Sequence, residues 1–535
     1  MNIPVTLFMW IMAFMPIIVL LVLMIGFNWP AFKAAVTGLV VTAISSVLFY
    51  KANIGLLLVE SGKGAWSAMP ILLVILTAIL MYQVSREAGA FAVIRNGMRS
   101  LLPNELLLVL AMGWIFESFL QGITGFGVPV AVGAPLLIGL GVKPLWAVII
   151  PLIGQSWGNT FGTLAAAWDA LAMSAGLEAG SQAYMQTAFW TAFFILIWNA
   201  VLGFAICWFY GKGKALKKGL PAVLAMTVIQ GGGELLLSQI NTTLACFLPA
   251  CASLIVILLL GRTKLYGKEW SIEDSKIMDR TLADEKAEGK TSDMTLLQAF
   301  VPYFLLSALA LIVLLIKPVN AFLGQFAIGI PFPETQTGYG FVNEAVESFS
   351  PLKLFTHASM FLLLASLAGL VYYKKQGWIQ EGGVKNVFVK SLMMARNSSI
   401  AVLGLVVMSK LMSSTGQTVV LANGIVTVLG NAYVILAPFV GLLGTFMTGS
   451  NMSSNILFGN FQQTTAELLN VEASYILGAQ SAGASVGSSI SPSNIAFGTT
   501  TANISGSEGQ IMKKILCVAM PVVLVIGVLV YILAG

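Results

Sequence analysis

The chain has 535 residues, of which 58% are hydrophobic and only 9% charged, with a formal net charge of +6 and a mean hydropathy of +0.90. Soluble domains carry about 25% charged residues, so a string of soluble domains is excluded, and the roughly 20 residues each membrane helix needs leave room for about a dozen crossings. The basic residues gather between apolar runs, as cytoplasmic loops require, which removes nucleic acid as a partner, and the period-2 alternation of a membrane barrel is absent.

In chain order, residues 1–60 hold two spans, about 4–26 and 30–50. No basic residue precedes Lys33, so the first apolar run reads as a retained helix and not a secretory signal. Residues 61–175 contain a span at 64–84, an amphipathic stretch at 86–101 and an apolar region, 104–170, interrupted by Gly, Pro, Ser, Thr and Asn. Residues 176–261 supply connecting spans at 186–210, 220–239 and 241–261. Segment 262–295, with seven basic and eight acidic residues, reads as a solvated cytoplasmic linker. Residues 296–389 carry spans at 296–316 and 354–373 around a connection, 318–353, whose acids Glu334, Glu344 and Glu347 make it periplasmic. Residues 390–500 repeat the earlier pattern: a span at 399–411, an amphipathic stretch at 414–429 and a broken apolar region at 431–498. A final span, 511–533, lies in the C-terminal segment 501–535. Cys207, Cys246, Cys251 and Cys517 fall in apolar stretches without metal-ligand spacing and read as buried thiols.

The two broken regions match each other. Gly-Ile-Thr-Gly-Phe-Gly (122–127) has a counterpart in Phe-Met-Thr-Gly-Ser-Asn (446–451), and Gly-Gln-Ser-Trp-Gly-Asn-Thr-Phe-Gly-Thr (154–163) in Ala-Gln-Ser-Ala-Gly-Ala-Ser-Val-Gly-Ser (479–488), at offsets of 324 and 325. The first amphipathic stretch carries Arg86, Arg95 and Arg99, whereas 412–430 carries no Lys or Arg, so the two units lie in opposite senses. Inverted repeats with interrupted helices point to a secondary-transport site. The expected fold is an all-α polytopic membrane protein with two inverted repeats, each holding a re-entrant hairpin and a broken helix.

Irregular backbone at membrane depth is kept only where it lines a cavity or is buried in protein. Small residues that merely permit tight helix packing would account for one such helix, but poorly for two matched pairs. The expected substrate contacts are Thr124, Gly125, Gln155, Ser156, Asn159 and Thr160 in the first half. Thr448, Gly449, Ser450, Asn451, Gln480, Ser481 and Ser485 are their counterparts in the second. Helix starts at these breaks would direct N–H groups at a carboxylate without a buried cation. An isolated acid at the bilayer centre costs about 2.5–3.5 kcal/mol or more, so Asp169 and Glu117 are expected to face a cavity, to be paired or to hold a proton, and are the candidate proton-coupling groups. Asp169, whose repeat partner is Asn494, comes first. His357, the sole histidine, reads as an interfacial residue, and Arg396 and Lys410 as snorkelling ends of one span. No catalytic cluster, metal-ligand set or complete P-loop is present in the sequence, so no enzyme activity, metal or cofactor is expected.

The stretches Glu117-Ser-Phe-Leu-Gln-Gly-Ile-Thr-Gly-Phe-Gly-Val-Pro and Pro151-Leu-Ile-Gly-Gln-Ser-Trp-Gly-Asn-Thr-Phe-Gly resemble the bacterial lactate permease family, and the resemblance covers essentially the whole chain. It implies an inner-membrane, multi-pass carrier, embedded among membrane lipids, that imports lactate, and often glycolate, with protons. The Ser450-Asn451 and Gly158-Asn159-Thr160 elements also resemble the broader ion-transporter superfamily. That likeness implies a mobile transport domain moving past a scaffold, elevator fashion, and a homodimer formed by the scaffold. A sodium-coupled carrier of another organic anion, such as a dicarboxylate, is the alternative; no Lys or Arg in the matched breaks favours a monoanion.

Overall fold

Thr6 accepts a hydrogen bond from Met9 N and starts α1 (Leu7–Leu21), in a computed structural model that describes residues 3–27, 29–125, 127–285 and 293–534. Phe126 of the first matched motif and residues 286–292 of the charged segment lie outside the described residues. α2 (Ala31–Leu48) is followed by α3 (Ile54–Glu87), opened by Asn53, whose Oδ1 accepts from Leu56 N at 2.7 Å. The short α4 (Ala90–Leu101) leads into α5 (Glu105–Leu110), which continues through a π turn into α6 (Phe116–Ile123) as one span, buried from Leu106 onward. α7 (Val128–Ile138) returns from a tight tip, and α8 (Pro144–Ser156) and α9 (Gly162–Ala175) are separated by a break. α10 (Gln182–Thr227) is kinked at Gly211–Lys212 and runs through a π turn into α11 (Gly233–Ser238), before α12 (Phe247–Leu260).

Beyond α13 (Thr281–Glu285) and α14 (Leu296–Ala299), α15 (Val301–Leu315) and α16 (Lys317–Leu323) meet at 88°. Two small antiparallel pairs follow: β1 (Ala327–Phe332) with β4 (Val346–Lys353), in register Ala327 to Lys353, and β2 (Thr335–Gln336) with β3 (Val342–Asn343). The chain ends with α17 (Ala358–Lys375), α18 (Gly383–Ser414), α19 (Gln417–Leu429), α20 (Tyr433–Thr448), α21 (Asn451–Leu469), α22 (Ala473–Ser488), α23 (Pro492–Thr501) and α24 (Glu508–Ala534).

Among the described residues nine helical stretches are long and apolar enough to cross a membrane, or ten with α15 and α16 taken as one bent span. The number falls below a dozen partly because the 57-residue stretch Gln182–Ser238 absorbs two expected spans across its kink. The element order of 54–175 (long helix, short helix, hairpin, helix, break, short helix) returns over 383–501.

The two long helices α3 and α18 pack antiparallel. Glu60 near the start of α3 meets Lys410 and Ser414 near the end of α18, while Glu87 at the other end of α3 pairs with Lys390 at 3.1 Å. Gly64 lets the backbone of Val407 approach so closely that a Cβ would meet it, the small-residue contact that membrane helices use in place of hydrophobic burial. α2 packs on α18 and α17 on α3, so these four helices form one group. The second group holds both hairpins and both broken helices: α9 lies against α21, α20 against α22, and α7 against α8 and α23. Gly441 and Gly483 allow α20 and α22 to cross with main chain against main chain, since a Cβ on either would run into a carbonyl of the other helix.

Three expectations need correction. The described part of the charged segment is docked and not simply solvated: Tyr266 and Ile277 are fully buried, Arg280 pairs with Glu105 through two 2.8 Å hydrogen bonds, and Asp279 N donates to Gly141 O. Its buried apolar residues, spaced between the charges, are the physical reason. Cys207 and Cys246 are buried, but Cys251 is half-buried and Cys517 is exposed on α24. Lys410 does not snorkel outward; it turns toward Glu60, 3.7 Å away, because that carboxylate lies fully buried in α3.

Candidate functional site

Both hairpins turn on residues that only glycine accommodates readily. Gly125 and Gly127 have φ of +66° and +77° between α6 and α7, and Gly449 has φ of +78° between α20 and α21. At the second tip the Thr448 hydroxyl donates to Gly444 O and Ser450 O, and Ser450 caps α21 by accepting from Ser453 N. The first broken helix is stranger. Thr163, Leu164 and Ala165 all take left-handed backbone angles, with φ of +49°, +52° and +69°. Each such non-glycine residue costs about 1–2 kcal/mol. Thr163 Oγ1 donates to Thr124 O at 3.1 Å, tying this turn to the first tip.

The two tips and two breaks line a narrow polar cavity between them. Gly125, Gln155, Asn159, Gly449, Ser450 and Asn451 line it, so six of the expected contacts converge. No lining residue carries a charge. The amide oxygens of Gln121, Gln155 and Asn451 are buried there without a hydrogen-bond partner. Buried polar atoms are nearly always paired, so three unpartnered amide oxygens at one cavity mark a place for a polar partner, water or ligand.

The other expected contacts stand behind this lining. Asn451 Nδ2 donates to Thr160 Oγ1 at 2.9 Å and to Ser485 Oγ at 3.0 Å, and Thr160 Oγ1 lies 3.0 Å from both Ser481 Oγ and Ser485 Oγ. Asn159 Nδ2 reaches Ser488 Oγ at 2.5 Å. These bonds join the α8–α9 break to α22 and to the start of α21. Ser156, Gln480, Thr124 and Thr448 are committed elsewhere. Ser156 accepts from Trp198 Nε1, Gln480 bonds Ser454 and Gln462, and Thr124 and Thr448 hold their own tips.

Sequence reasoning missed Gln121, Thr163 and Asn494 as lining residues. Gln121 was recoverable as a polar side chain in the last turn of α6, just before the tip. The acids behave differently from one another. Glu117 is fully buried, one turn before Gln121 on α6, with both oxygens unpartnered and the space left by Gly133 filled by its carboxylate. Asp169 is exposed on α9 and does not line the cavity, whereas its repeat partner Asn494 does. The left-handed turn at 163–165 is the physical difference between the two broken helices: it reorients α9 relative to α8, and no matching turn precedes α23. A further buried, unpartnered acid, Glu234 on α11, had not been anticipated. His357 caps α17 by accepting from Ser359 N and is not among the lining residues. Among the described residues no group of three or more His, Cys, Asp or Glu could hold a metal ion.

This arrangement, a polar cavity between broken helices inside a bundle of apolar spans, defines a multi-pass membrane protein. A family model described as L-lactate permease matches residues 9–535. The chain belongs to the L-lactate permease family, a family of membrane permeases and not of enzymes. It is 26% identical to the L-lactate permease of Halalkalibacterium halodurans, over 98% of this chain and 96% of that one. Identity is 28% to the L-lactate permease of Escherichia coli strain K12, covering 94% and 92%. It is 25% identical to the glycolate permease of the same strain, covering 94% and 91%. Among solved structures the chain is similar to the YdaH transporter of Alcanivorax borkumensis at a TM-score of 0.42 and 14% identity, covering 86% of this chain and 84% of that one.

Proposed function

We propose that the protein imports lactate, together with glycolate and related 2-hydroxy monocarboxylates, across the bacterial inner membrane by proton symport. The observation that carries this reading is the uncharged cavity, lined by the start of α21 and by the unpartnered amide oxygens of Gln121, Gln155 and Asn451. The first N–H groups of a helix have no partner within it and favour an anion. The Gln121 and Gln155 amides, turned about their last torsion, offer either NH2 to a carboxylate or oxygen to a 2-hydroxyl, and Asn451, whose NH2 is held by Thr160 and Ser485, offers its oxygen to the hydroxyl. A dianion would leave a charge uncompensated. The alternative of a sodium-coupled dicarboxylate carrier finds no support in relatives named for lactate and glycolate.

The proton falls to Glu117 in preference to Asp169. An ionised carboxylate without a partner inside the membrane is expensive, and Glu117 lies one turn from the lining with nothing to neutralise it. Its charge would repel the lactate carboxylate, and its protonated form would not. The two units 61–175 and 390–500 are read as inverted repeats, which the antiparallel packing of α3 on α18 supports. The group of α2, α3, α17 and α18 is read as a scaffold that dimerises, and the hairpin-bearing group as the part that moves past it.

Removing one hydrogen bond to a charged ligand costs ~1.5–3 kcal/mol, which is about tenfold to a hundredfold in affinity. Asn451→Ala and Asn159→Ala are expected to weaken lactate binding to the purified protein by that factor while leaving membrane insertion intact. Wild-type affinity in both variants would place the substrate elsewhere.

A further inference from the structure

Between the two helix groups lies a second and larger opening. α3 and α18 form one wall, α9 and α21 the other, and Phe349, Ser350 and Pro351 of β4 line it as well. On the α3–α18 wall Glu60 is fully buried and amply partnered. Its carboxylate accepts from Lys63 Nζ, Thr335 Oγ1 and Ser414 Oγ, each at 2.8 Å. Lys63 is itself only 2% exposed and so is spent on this pair. Lys410 stands farther off, 3.7 Å from Glu60, with 30% of its side chain exposed, and it lines the crevice. The cluster therefore has two ammonium groups against one carboxylate, and the surplus charge is on the lysine that faces the opening. The Phe349 ring lies near both ammonium groups, its centroid 5.5 Å from Lys410 Nζ and 6.0 Å from Lys63 Nζ. The other charged groups at the crevice, Lys353 and Glu178, are exposed and of opposite sign.

The crevice and the cavity share both helices of one wall. Ala167 on α9 and Met452 on α21 line the cavity; Ala172 and Ile456 on the same helices line the crevice. At 1.5 Å per residue these separations are about 6–8 Å along each helix. The crevice floor thus lies one to one and a half turns from the cavity. Ile456 O accepts from Ser409 of α18 and Ser174 of α9, so the join between the walls is polar.

We propose that this crevice is an outer anion site, in which Lys410 takes the carboxylate of a small monocarboxylate before it passes along α9 and α21 to the cavity. The site rests on the reading of the protein as a monocarboxylate carrier, and it adds a residue and a location to that reading. A single cation on a low-dielectric wall raises the local concentration of anions and their rate of arrival, an effect that salt screens.

The test uses the full chain in membrane vesicles. Lys410→Gln is expected to raise the KM for lactate uptake about three- to tenfold with little change in the maximal rate, and to flatten the dependence on ionic strength; Lys410→Arg is expected to restore both. Separately, a cysteine replacing Ser413, which lines the crevice one turn from Lys410, should react faster with an anionic thiosulfonate reagent than with a cationic one. Lys410→Gln in that background should erase the preference, and millimolar lactate should slow the anionic reagent. Equal reagent rates with Lys410 in place, or an unchanged KM and salt dependence in Lys410→Gln, overturns the outer site and leaves the carrier function standing. A reagent preference that Lys410→Gln erases, in a protein that moves no lactate, supports an anion site and defeats the monocarboxylate reading instead. Should Lys410→Gln fail to insert, the reagent comparison with Lys410 present and the Lys410→Arg kinetics decide the matter.

Discussion

Glu117 and Asp169 show how much a residue's role depends on where its backbone turns. Both are lone acids in apolar sequence. One is fully buried beside Gly133 with no hydrogen-bond partner, one turn from the cavity; the other is exposed past the left-handed turn of α9. Symport requires that the empty and doubly loaded carriers be the states that cross, so the proton group must sense the substrate's charge. The proposed coupling gives that role to Glu117. In Glu117→Gln, accumulation of lactate driven by a proton gradient should collapse, while equilibrium exchange survives and loses its pH dependence. Asp169→Asn should retain gradient-driven accumulation. The reverse pattern would return the proton to Asp169, and normal coupling in both variants would turn attention to Glu234. No spacing in the sequence separates these acids. Lys410 and Glu60 were equally opaque, because a pair formed across 350 positions leaves no local pattern. Asn451, by contrast, was visible from its place beside the Gly449 turn.

At the scale of elements, the hairpin tips and breaks were legible because glycine and small polar residues in a membrane span have few other uses. Gly125, Gly449, Gln155 and Asn159 all reached the cavity. What composition did not reveal was the hand of the first break. Thr163-Leu-Ala reads as ordinary helix, yet it winds left-handed, held by the Thr163 bond to Thr124 O and by Trp168 N donating to Thr160 O at 2.9 Å. Ala165→Gly tests that geometry. In a right-handed helix the exchange costs about 1 kcal/mol. At φ of +69° it removes a left-handed penalty of about 1–2 kcal/mol instead, so the variant should be stabilised by roughly 0–1 kcal/mol and melt no lower than the parent protein in detergent. A clear drop in melting temperature would mean that residue 165 is right-handed.

For the whole molecule, the Arg-rich amphipathic stretch became α4 and its Arg-free counterpart became α19, each following a long helix, and those long helices run antiparallel. A cysteine at Asn96 on α4 and one at Thr427 on α19, both exposed positions, should therefore be labelled from opposite faces of the membrane, the first from the cytoplasm. Labelling from one common face would remove the inverted arrangement and with it the alternating-access reading. The docked segment after Arg262 escaped notice because its charges mask a few buried anchors, Tyr266 and Ile277 among them. All of this organisation serves one claim, that a small hydroxy acid and a proton cross together. The most direct measurement is uptake of labelled lactate into proteoliposomes of the purified protein, with a pH gradient or a sodium gradient imposed separately at equal membrane potential. Concentrative uptake is expected with the lactate side acidic and without sodium; uptake that follows sodium and ignores pH, or no uptake under either gradient, would contradict it.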